Sequence, residues 1–461
     1  MFCYTITNMA NVIPDQILAV YKTLEKNNFE AYFVGGSVRD LIIKRKIKDW
    51  DLTTNATPEQ ILKVFPNGFY NNDFGTVGIP VKIGNEDHVA EVTTYRTETA
   101  YKDNRHPENV SWGKTLTEDL GRRDFTINAI ALRINEKDVF ELIDPYDGEK
   151  DIKKKILKAV GDPNLRFKED ALRLLRAVRI ANDLEFTIEK ITWEKICEDS
   201  KLIANISAER IKTELLRILA SVHPYEGIML LKDSGLLEFI LPELLEGIDI
   251  SMVRPGRHHT TDVFMHNVLS LKFCPSEDPI VRFATLLHDT GKPKVMAKDS
   301  EGLVIFHNHE VAGARIAAAV CDRLKFSKKE KEKIVMLIRW HMFSVNENQT
   351  DATIRRFIRK IGVENVKDMM DLRVADRLGG GTQTAESWRL KLFKEKIEEQ
   401  LQPAPFSIND MAIDGSDIME LLQIKPGPKV GEILQKLFEE VDEDLSKNNK
   451  EFLLNRAKEL A

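Results

Sequence analysis

The chain has 461 residues, 43% of them hydrophobic and 30% charged, with 67 basic against 73 acidic side chains and a net charge of −6. That length exceeds what one hydrophobic core usually holds and predicts two to four domains. No apolar run approaches the roughly 18 to 20 residues of a membrane span, and the acidic balance argues against a globally basic nucleic-acid coat while leaving room for a local basic face. The opening MFCYTITNMANVIPDQ lacks a basic start followed by a long apolar stretch, so no secretory signal is expected, and Met9 is a second candidate start. Cys3, Cys197, Cys274 and Cys321 are scattered without a CxxC pair, which fits a reducing cytosol and a cytoplasmic location.

From Pro14 to about Arg133, short helices alternate with the β-rich runs AYFVGG, DWDLTT, TVGIPVKI, HVAEVTTYR and NAIALRI. This pattern predicts a mixed α/β domain around a small sheet. In FVGGSVRD a strand ends and a helix begins, so Gly35 and Gly36 let backbone approach a phosphate at the helix start, and Arg39, one turn on, adds positive charge. Asp49 and Asp51 then stand one residue apart in an alternating run, which in a strand projects both carboxylates from one face. Carboxylates so placed repel each other and suit Mg²⁺, which takes oxygen ligands and leaves room for substrate phosphates. Two such ions would stabilise the attacking and leaving oxygens of an in-line displacement. Glu91, in VAEVTTYR, is a candidate third carboxylate on a neighbouring strand or an ordinary strand glutamate. A tight turn beside a salt-bridged surface strand is the plainer alternative for the whole set.

After about Asp151 the texture becomes helical, in DALRLLRAVRIANDL, AERIKTELLRILAS and YEGIMLLKDSGLLEFIL. In one continuous helix Asp170, Arg173, Arg176 and Arg179 would recur at spacings of three, opposite Leu172, Leu175, Val178 and Ile180. Such a stripe reads either as an anion site or as a solvated face laced with ion pairs. Pro- and Gly-rich breaks at VRPGRHHT and QPAPFSINDMAIDG mark the later boundaries. The divisions expected are 1–150, a nucleotide-handling head; 151–250, a helical neck; 251–385, a histidine-rich helical part; and 386–461, a helical C-terminal region. In that last region a PGPKVG turn joins two helices, and the acidic FEEVDEDL predicts a solvated end.

GGSVRD, DWD, TTYRTETAYKDNRHPENV, EDLGRRDFTINAIA and KEDALRLLRAVR resemble, in order and approximate spacing, the motifs of class II CCA-adding tRNA nucleotidyltransferases. The resemblance covers roughly residues 15 to 245. It implies an α+β chain with a polymerase-β-like head on a small mixed sheet and an all-α body, building the 3′ CCA end of tRNA from CTP and ATP without a nucleic-acid template. Carried over by motif, Asp49 and Asp51 hold catalytic Mg²⁺, Gly36 and Arg39 meet the nucleotide, and Arg123, Asp124 and Asn128 position phosphates and ribose. Asp170 and Arg173 are the protein template, with Arg176 and Arg179 as nearby nucleotide contacts. The chemistry of such a template is independent of the family. Cytosine and adenine offer an amine donor beside a ring-nitrogen acceptor, which a carboxylate and a guanidinium match, whereas uracil and guanine present the reverse.

The tRNA acceptor stem and 3′ end are expected on a basic helical surface that includes KKKILKAV, read by phosphates and shape more than by base sequence. TYRTETAYKDNRHP, with Arg96, Glu98, Tyr101, Asp103 and Arg105, resembles the flexible loop of full CCA and A-adding enzymes and speaks against CC-only addition. A-adding enzymes share every motif and remain open, as does a poly(A) polymerase, although EDALR replaces the EDPVR usual there and no long basic tail follows.

TDVFMHNVL, LLHDTGKPK, FHNHEVAGA, RWHMF and VADRLGGG look like an HD domain, a metal-dependent phosphohydrolase module, with His266, His288, Asp289, His309, His341 and Asp376 at its metal positions. Imidazole and carboxylate ligands suit a divalent transition metal. The alternative is a module kept only for RNA binding; His258, His259 and His307 fall outside the pattern and read as surface histidines. Two other classes were weighed. A dinucleotide-binding enzyme fails because no GxGxxG with an acidic partner is present, and a phosphohydrolase or RNA-binding protein with an inactive head conflicts with intact Asp49, Asp51, Asp170 and Arg173. The oligomeric state is not legible.

Overall fold

The computed structural model describes residues 5–6, 13–47, 49–70, 75–101, 107–113, 115–135, 139–252, 261–343, 349–401 and 407–461. It divides into two compact units, Met1–Pro242 and Glu243–Ala461. Among the described residues no helix is long and apolar enough to cross a membrane.

The first unit carries the strands β1 (Thr5–Ile6), β2 (Ala31–Val34), β3 (Trp50–Thr54), β4 (Phe69–Tyr70), β5 (Thr76–Ile83), β6 (Glu86–Thr94), β7 (Arg96–Tyr101), β8 (Pro107–Trp112), β9 (Ala131–Ile134) and β10 (Phe140–Ile143). Eight form one mixed sheet in the order β1-β10-β9-β2-β3-β6-β5-β4, while β7 and β8 pair separately as an antiparallel ribbon. Two of the eight are only two residues long, so the sheet is small, as expected, and each β-rich run named above became a strand. β3 and β6 run parallel with Asp51 opposite Glu91, and β2 and β3 run antiparallel with Phe33 opposite Leu52.

The alternation in β3 does what period-2 patterning requires: Trp50 and Leu52 are buried, and Asp51 turns the other way. Phe33 is fully buried, stacked on Tyr21 with ring centroids 5.2 Å apart and edge-on to Trp50 at 5.8 Å. The core under the sheet therefore fixes both the strand that ends at the double glycine and the strand that carries the aspartates.

Helices follow the sheet, and Leu172–Leu184 is buried almost all round, through Leu172, Leu174, Leu175, Ala177, Val178 and Ala181. Its partner Ala208–Ala220 packs along it.

The second unit is helical apart from one two-stranded pairing of Ala297–Lys298 with Val304–Ile305. Val263–Lys272 packs on Val366–Gly379, and His309–Arg323 packs on Lys328–Trp340. At its C-terminal end Ile418, Ile433, Leu437, Val441 and Leu453 form a local core. The PGPKVG turn joins Gly415–Leu422 to Pro428–Glu443, with Pro428 in the first turn, where a missing N–H costs nothing. The acidic FEEVDEDL does not form a solvated end. Phe438, Val441 and Asp442 in it are buried, and Asp442 accepts from Arg355 Nε at 2.9 Å and also holds Arg359, so two arginines of Asp351–Ile361 neutralise the charge.

Replacing Phe33 with Ala removes the ring between Tyr21 and Trp50 and is expected to destabilise the first unit by about 3 to 5 kcal/mol, seen as a lowered denaturant midpoint.

Candidate active site and histidine cluster

Gly35 ends β2 at φ +75°, a conformation glycine adopts without strain, and caps the helix Gly36–Ile42. The Ser37 hydroxyl ties that turn to the Val34 carbonyl at 2.8 Å. A Cβ on Gly35 would lie 3.1 Å from both Arg123 Nη1 and Asp51 Oδ2, so the glycine's hydrogen is what allows a guanidinium and a carboxylate to meet the backbone there. Asp49 and Asp51 line a common cleft of about 820 Å³ with Gly36, Arg39 and Arg179. Burial pushes the Asp51 carboxyl up to about 6; Arg123 and Arg39 oppose that, whereas Glu91 and Asp49 add to it. The expected face is thus real: Trp50 points into the core between two carboxylates of one cleft, with Glu91 on the adjacent strand.

The arginines that face these acids are themselves held. Asp119, fully buried, accepts from Arg122 Nη2 at 2.6 Å and Nε at 3.0 Å, from Arg123 Nη2 at 3.1 Å and from the Thr53 hydroxyl at 3.3 Å. Burial alone would raise its carboxyl, but Arg122 and Arg123 outweigh it and bring it down to about 2. Sequence reasoning passed over Asp119, although its spacing of three and four to Arg122 and Arg123 in EDLGRR places all three on one side of a helical turn. Arg39 donates to Asn128 Oδ1 at 2.8 Å, and the Asn128 amide donates to Asp124 Oδ1 at 3.0 Å. Asp124 Oδ2 accepts from Arg176 at 2.6 and 2.9 Å, which, against burial, holds this carboxyl well below the usual range.

Asp170 corrects the stripe. It is extended, with φ −142° and ψ 101°, after the helix Pro163–Glu169 and before Leu172–Leu184, so the repeat of three begins only at Arg173. Asp170 accepts from Arg210 at 2.7 and 3.2 Å. Arg173 donates to Glu169 at 2.6 Å and to the Arg122 carbonyl at 2.7 Å. Arg176 is held by Asp124, and Arg179 by buried Glu214 at 2.5 Å and by Asp183 at 3.3 Å. The three arginines therefore form not an unneutralised anion stripe but a row of side chains each fixed by an acid. Arg210 and Glu214 carried no sequence signal, because an i,i+4 Arg/Glu pair is commonplace on solvated helices.

Of the loop residues, Arg96 opens the β7–β8 ribbon and Glu98 and Tyr101 lie on it; Asp103 and Arg105 lie outside the described residues, as do His258 and His259. His307 is exposed, as an ordinary surface histidine would be.

In the second unit all six expected histidines and aspartates come together. His266 Nε2 lies 3.2 Å from each of His288 Nε2, Asp289 Oδ2 and Asp376 Oδ1. On the other side of Asp289, Oδ1 lies 3.2 Å from His309 Nε2 and 3.7 Å from His341 Nε2, and those two nitrogens are 3.3 Å apart. Lys292 Nζ meets Asp289 Oδ2 at 2.5 Å. Gly291 makes the approach possible, since a Cβ there would lie 2.1 Å from the His309 carbonyl.

Nδ1 of His288, His309 and His341 lies 2.7, 2.8 and 2.7 Å from the carbonyls of Thr285, Phe306 and Ile338. A carbonyl only accepts, so each Nδ1 carries the proton and each neutral ring presents its Nε2 lone pair to the cluster. Converging lone pairs and carboxylates are neutralised by protons or by a bound cation. Two overlapping sets, His266–His288–Asp289 and Asp289–His309–His341, have the reach of metal ligands. Burial lowers His341 to about 3, with His288 adding; His266, despite burial, is raised to about 9 by Asp289 and Asp376.

The chain matches the family model described as "Poly A polymerase head domain" over residues 31–158, one for an RNA-binding site of polymerase A over 185–247, and one for a second tRNA nucleotidyltransferase domain over 305–457. A CCA-adding enzyme of Limosilactobacillus reuteri is 31% identical over 96% of this chain and 95% of its own length. The chain belongs to the CCA-adding enzyme family. An A-adding tRNA nucleotidyltransferase of Deinococcus radiodurans is 36% identical over 70% of this chain and 75% of its own. The crystal structure of the Bacillus stearothermophilus CCA-adding enzyme with CTP superimposes with a TM-score of 0.72 at 25% identity, covering 96% of both chains. Such nucleotidyltransferase heads use divalent metal, and the carboxylates of this cleft, which repel one another unless a cation lies among them, fit that requirement.

Asp119 is ionised in the fold at pH values where an unfolded carboxyl, near 3.8, is already protonated. A depressed folded value stabilises above about pH 4 and that contribution disappears as pH falls through about 2. Asp119→Asn is therefore expected to cost about 2 kcal/mol at pH 7, with the gap to the parent closing between pH 4 and pH 2 in denaturant unfolding at a series of pH values.

Proposed function

We propose that this chain completes the 3′ end of tRNA, adding CCA from CTP and ATP without a nucleic-acid template. The observation that carries this reading is the cleft itself. Asp49 and Asp51 face the Gly35–Gly36 turn, Arg39 and Arg123 in the head of a chain whose relatives along its full length are CCA-adding enzymes. The head, 1–150, would hold the nucleotide, the neck, 151–250, would read its base, and the C-terminal region, 386–461, would carry tRNA.

In this reading the tRNA 3′ hydroxyl attacks the α-phosphate, an O3′–P bond forms, and the bond to the bridging oxygen breaks to release pyrophosphate. Asp49 and Asp51, with Glu91 beside them, would hold Mg²⁺, which when bound screens the phosphate charge and favours ionisation of the attacking hydroxyl. Arg39 and Arg123 neutralise phosphate oxygens. Gly35 and Gly36 keep side chains out of the space the phosphates enter. Asn128 and Asp124, already joined to Arg39 and Arg176, orient the ribose side. Asp170 and Arg173 meet the amine and ring nitrogen of cytosine or adenine, and Arg176 and Arg179 line the approach.

Labelled CTP and ATP, offered separately and together to tRNA lacking CCA and to tRNA ending in CC, test this. Completion of CCA on the bare tRNA is expected, and Asp49→Ala with Asp51→Ala is expected to lower incorporation by more than about a thousandfold. Addition of A only to the CC-ended tRNA would make this an A-adding enzyme, like the Deinococcus relative.

A second reading rests on the Nε2 lone pairs that face one another at His309 and His341. The cluster of His266, His288, Asp289, His309, His341 and Asp376 fits a divalent transition metal, which supplies an activated water for phosphoester hydrolysis when bound. Protein dialysed against Mn²⁺ or Ni²⁺ and then against buffer is expected to retain metal by elemental analysis, and His288→Ala with Asp289→Ala to lose it while nucleotide addition persists.

A further inference from the structure

Arg210 has no part in the assignments above. It stands near the start of the helix Ala208–Ala220 and grips Asp170 with both arms: Nη2 donates to Oδ2 at 2.7 Å and Nη1 to Oδ1 at 3.2 Å. The Leu172 N–H donates to Oδ1 as well, at 3.1 Å. Oδ1 thus carries two bonds, whereas Oδ2 accepts one from Arg210 and keeps a second lone pair. One turn further along the same helix, buried Glu214 anchors it to the neck through Arg179. The Asp170 and Arg210 side chains remain 24% and 29% exposed, so a ligand can reach them.

We propose that Arg210 is a positioning residue for base selection, pinning Asp170 so that only the place opposite the exocyclic amine is available to its carboxylate. This rests on the reading of Asp170 and Arg173 as the base-reading pair. The chemistry of that pair depends on order as well as on residue type. With the carboxylate at the exocyclic position and the guanidinium at the ring nitrogen, cytosine and adenine fit. With the two exchanged, the carboxylate accepts from the ring N–H and the guanidinium donates to the carbonyl, and uracil and guanine fit equally well.

A carboxylate free to swing about its χ2 axis, in an extended residue ahead of the helix, can sample both places. A bidentate guanidinium fixes the carboxylate plane as well as its position, which a lysine cannot do. The tie between the two helices is carried by Glu214 and Arg179, so a partly exposed Arg210–Asp170 pair adds little to stability. Its two-armed geometry at this one residue is what selection needs.

Single-nucleotide incorporation of CTP, ATP, UTP and GTP by Arg210→Ala, Arg210→Gln, Arg210→Lys and Asp170→Ala tests the proposal. Arg210→Ala is expected to raise KM for CTP and ATP about tenfold, to leave kcat within about threefold, and to narrow the CTP-to-UTP ratio of kcat/KM by about tenfold. Its melting temperature should match the parent's. Arg210→Lys should recover affinity more than selectivity. Parental KM and selectivity in Arg210→Ala, or an equal loss of kcat for all four nucleotides, would overturn it. Asp170→Ala separates the two layers: retained selectivity there removes the base-reading assignment itself, whereas lost selectivity there with parental behaviour in Arg210→Ala removes only the role of Arg210. If Arg210→Ala does not fold, Arg210→Gln decides by the same readouts.

Discussion

Three carboxylates at one edge of a small sheet set the terms for the rest of the first unit. Asp49 and Asp51 face one cleft, Glu91 stands in register with Asp51 on the parallel neighbour, and burial makes their mutual repulsion harder to screen. Arg123 relieves part of that repulsion from across Gly35. A long, mobile guanidinium could do so in many geometries, and Asp119 removes that freedom by gripping Arg123, Arg122 and Thr53 from a fully buried position. Removing one of these charges would leave another unpaired in a low-dielectric place.

The same device recurs down the neck. Arg173, Arg176, Arg179 and Arg210 are each met by an acid from a different segment: Glu169, Asp124, Glu214 and Asp170. The buried apolar side of Leu172–Leu184 holds the helix; the ion pairs aim what projects from it. Arg176 and Asp124 join the neck helix to the turn that also carries Asn128 and, through it, Arg39, so the parts that would contact base, ribose and phosphate belong to one hydrogen-bonded network. A protein that selects a nucleotide by its own side chains needs those side chains held before the nucleotide arrives.

The histidine cluster solves a related problem with different chemistry. Backbone carbonyls at helix ends take the Nδ1 protons of three rings, and the rings are thereby forced to present lone pairs inward to Asp289. Such tautomer control is the outer-layer support that metal sites commonly have. It depends on a close turn at Gly291, which brings His288 and Asp289 against the start of His309–Arg323.

Much of this was legible along the chain, because strand alternation, the double glycine, the Asp-x-Asp pair and the histidine spacings are local patterns, and local patterns survive without knowledge of the fold. They determined the α+β class, the family resemblance and both clusters of candidate residues. They misled where a pattern was extended past its physical end: Asp170 keeps helical spacing with Arg173 yet lies outside the helix, and FEEVDEDL reads as solvated until two arginines from another helix bury Asp442. Tertiary structure alone decided which acid holds which arginine, and with it the roles of Asp119, Glu214 and Arg210. An ion pair joins residues 40 or 50 positions apart as readily as neighbours, and its strength depends on burial and geometry, neither of which a residue's own surroundings in the sequence record.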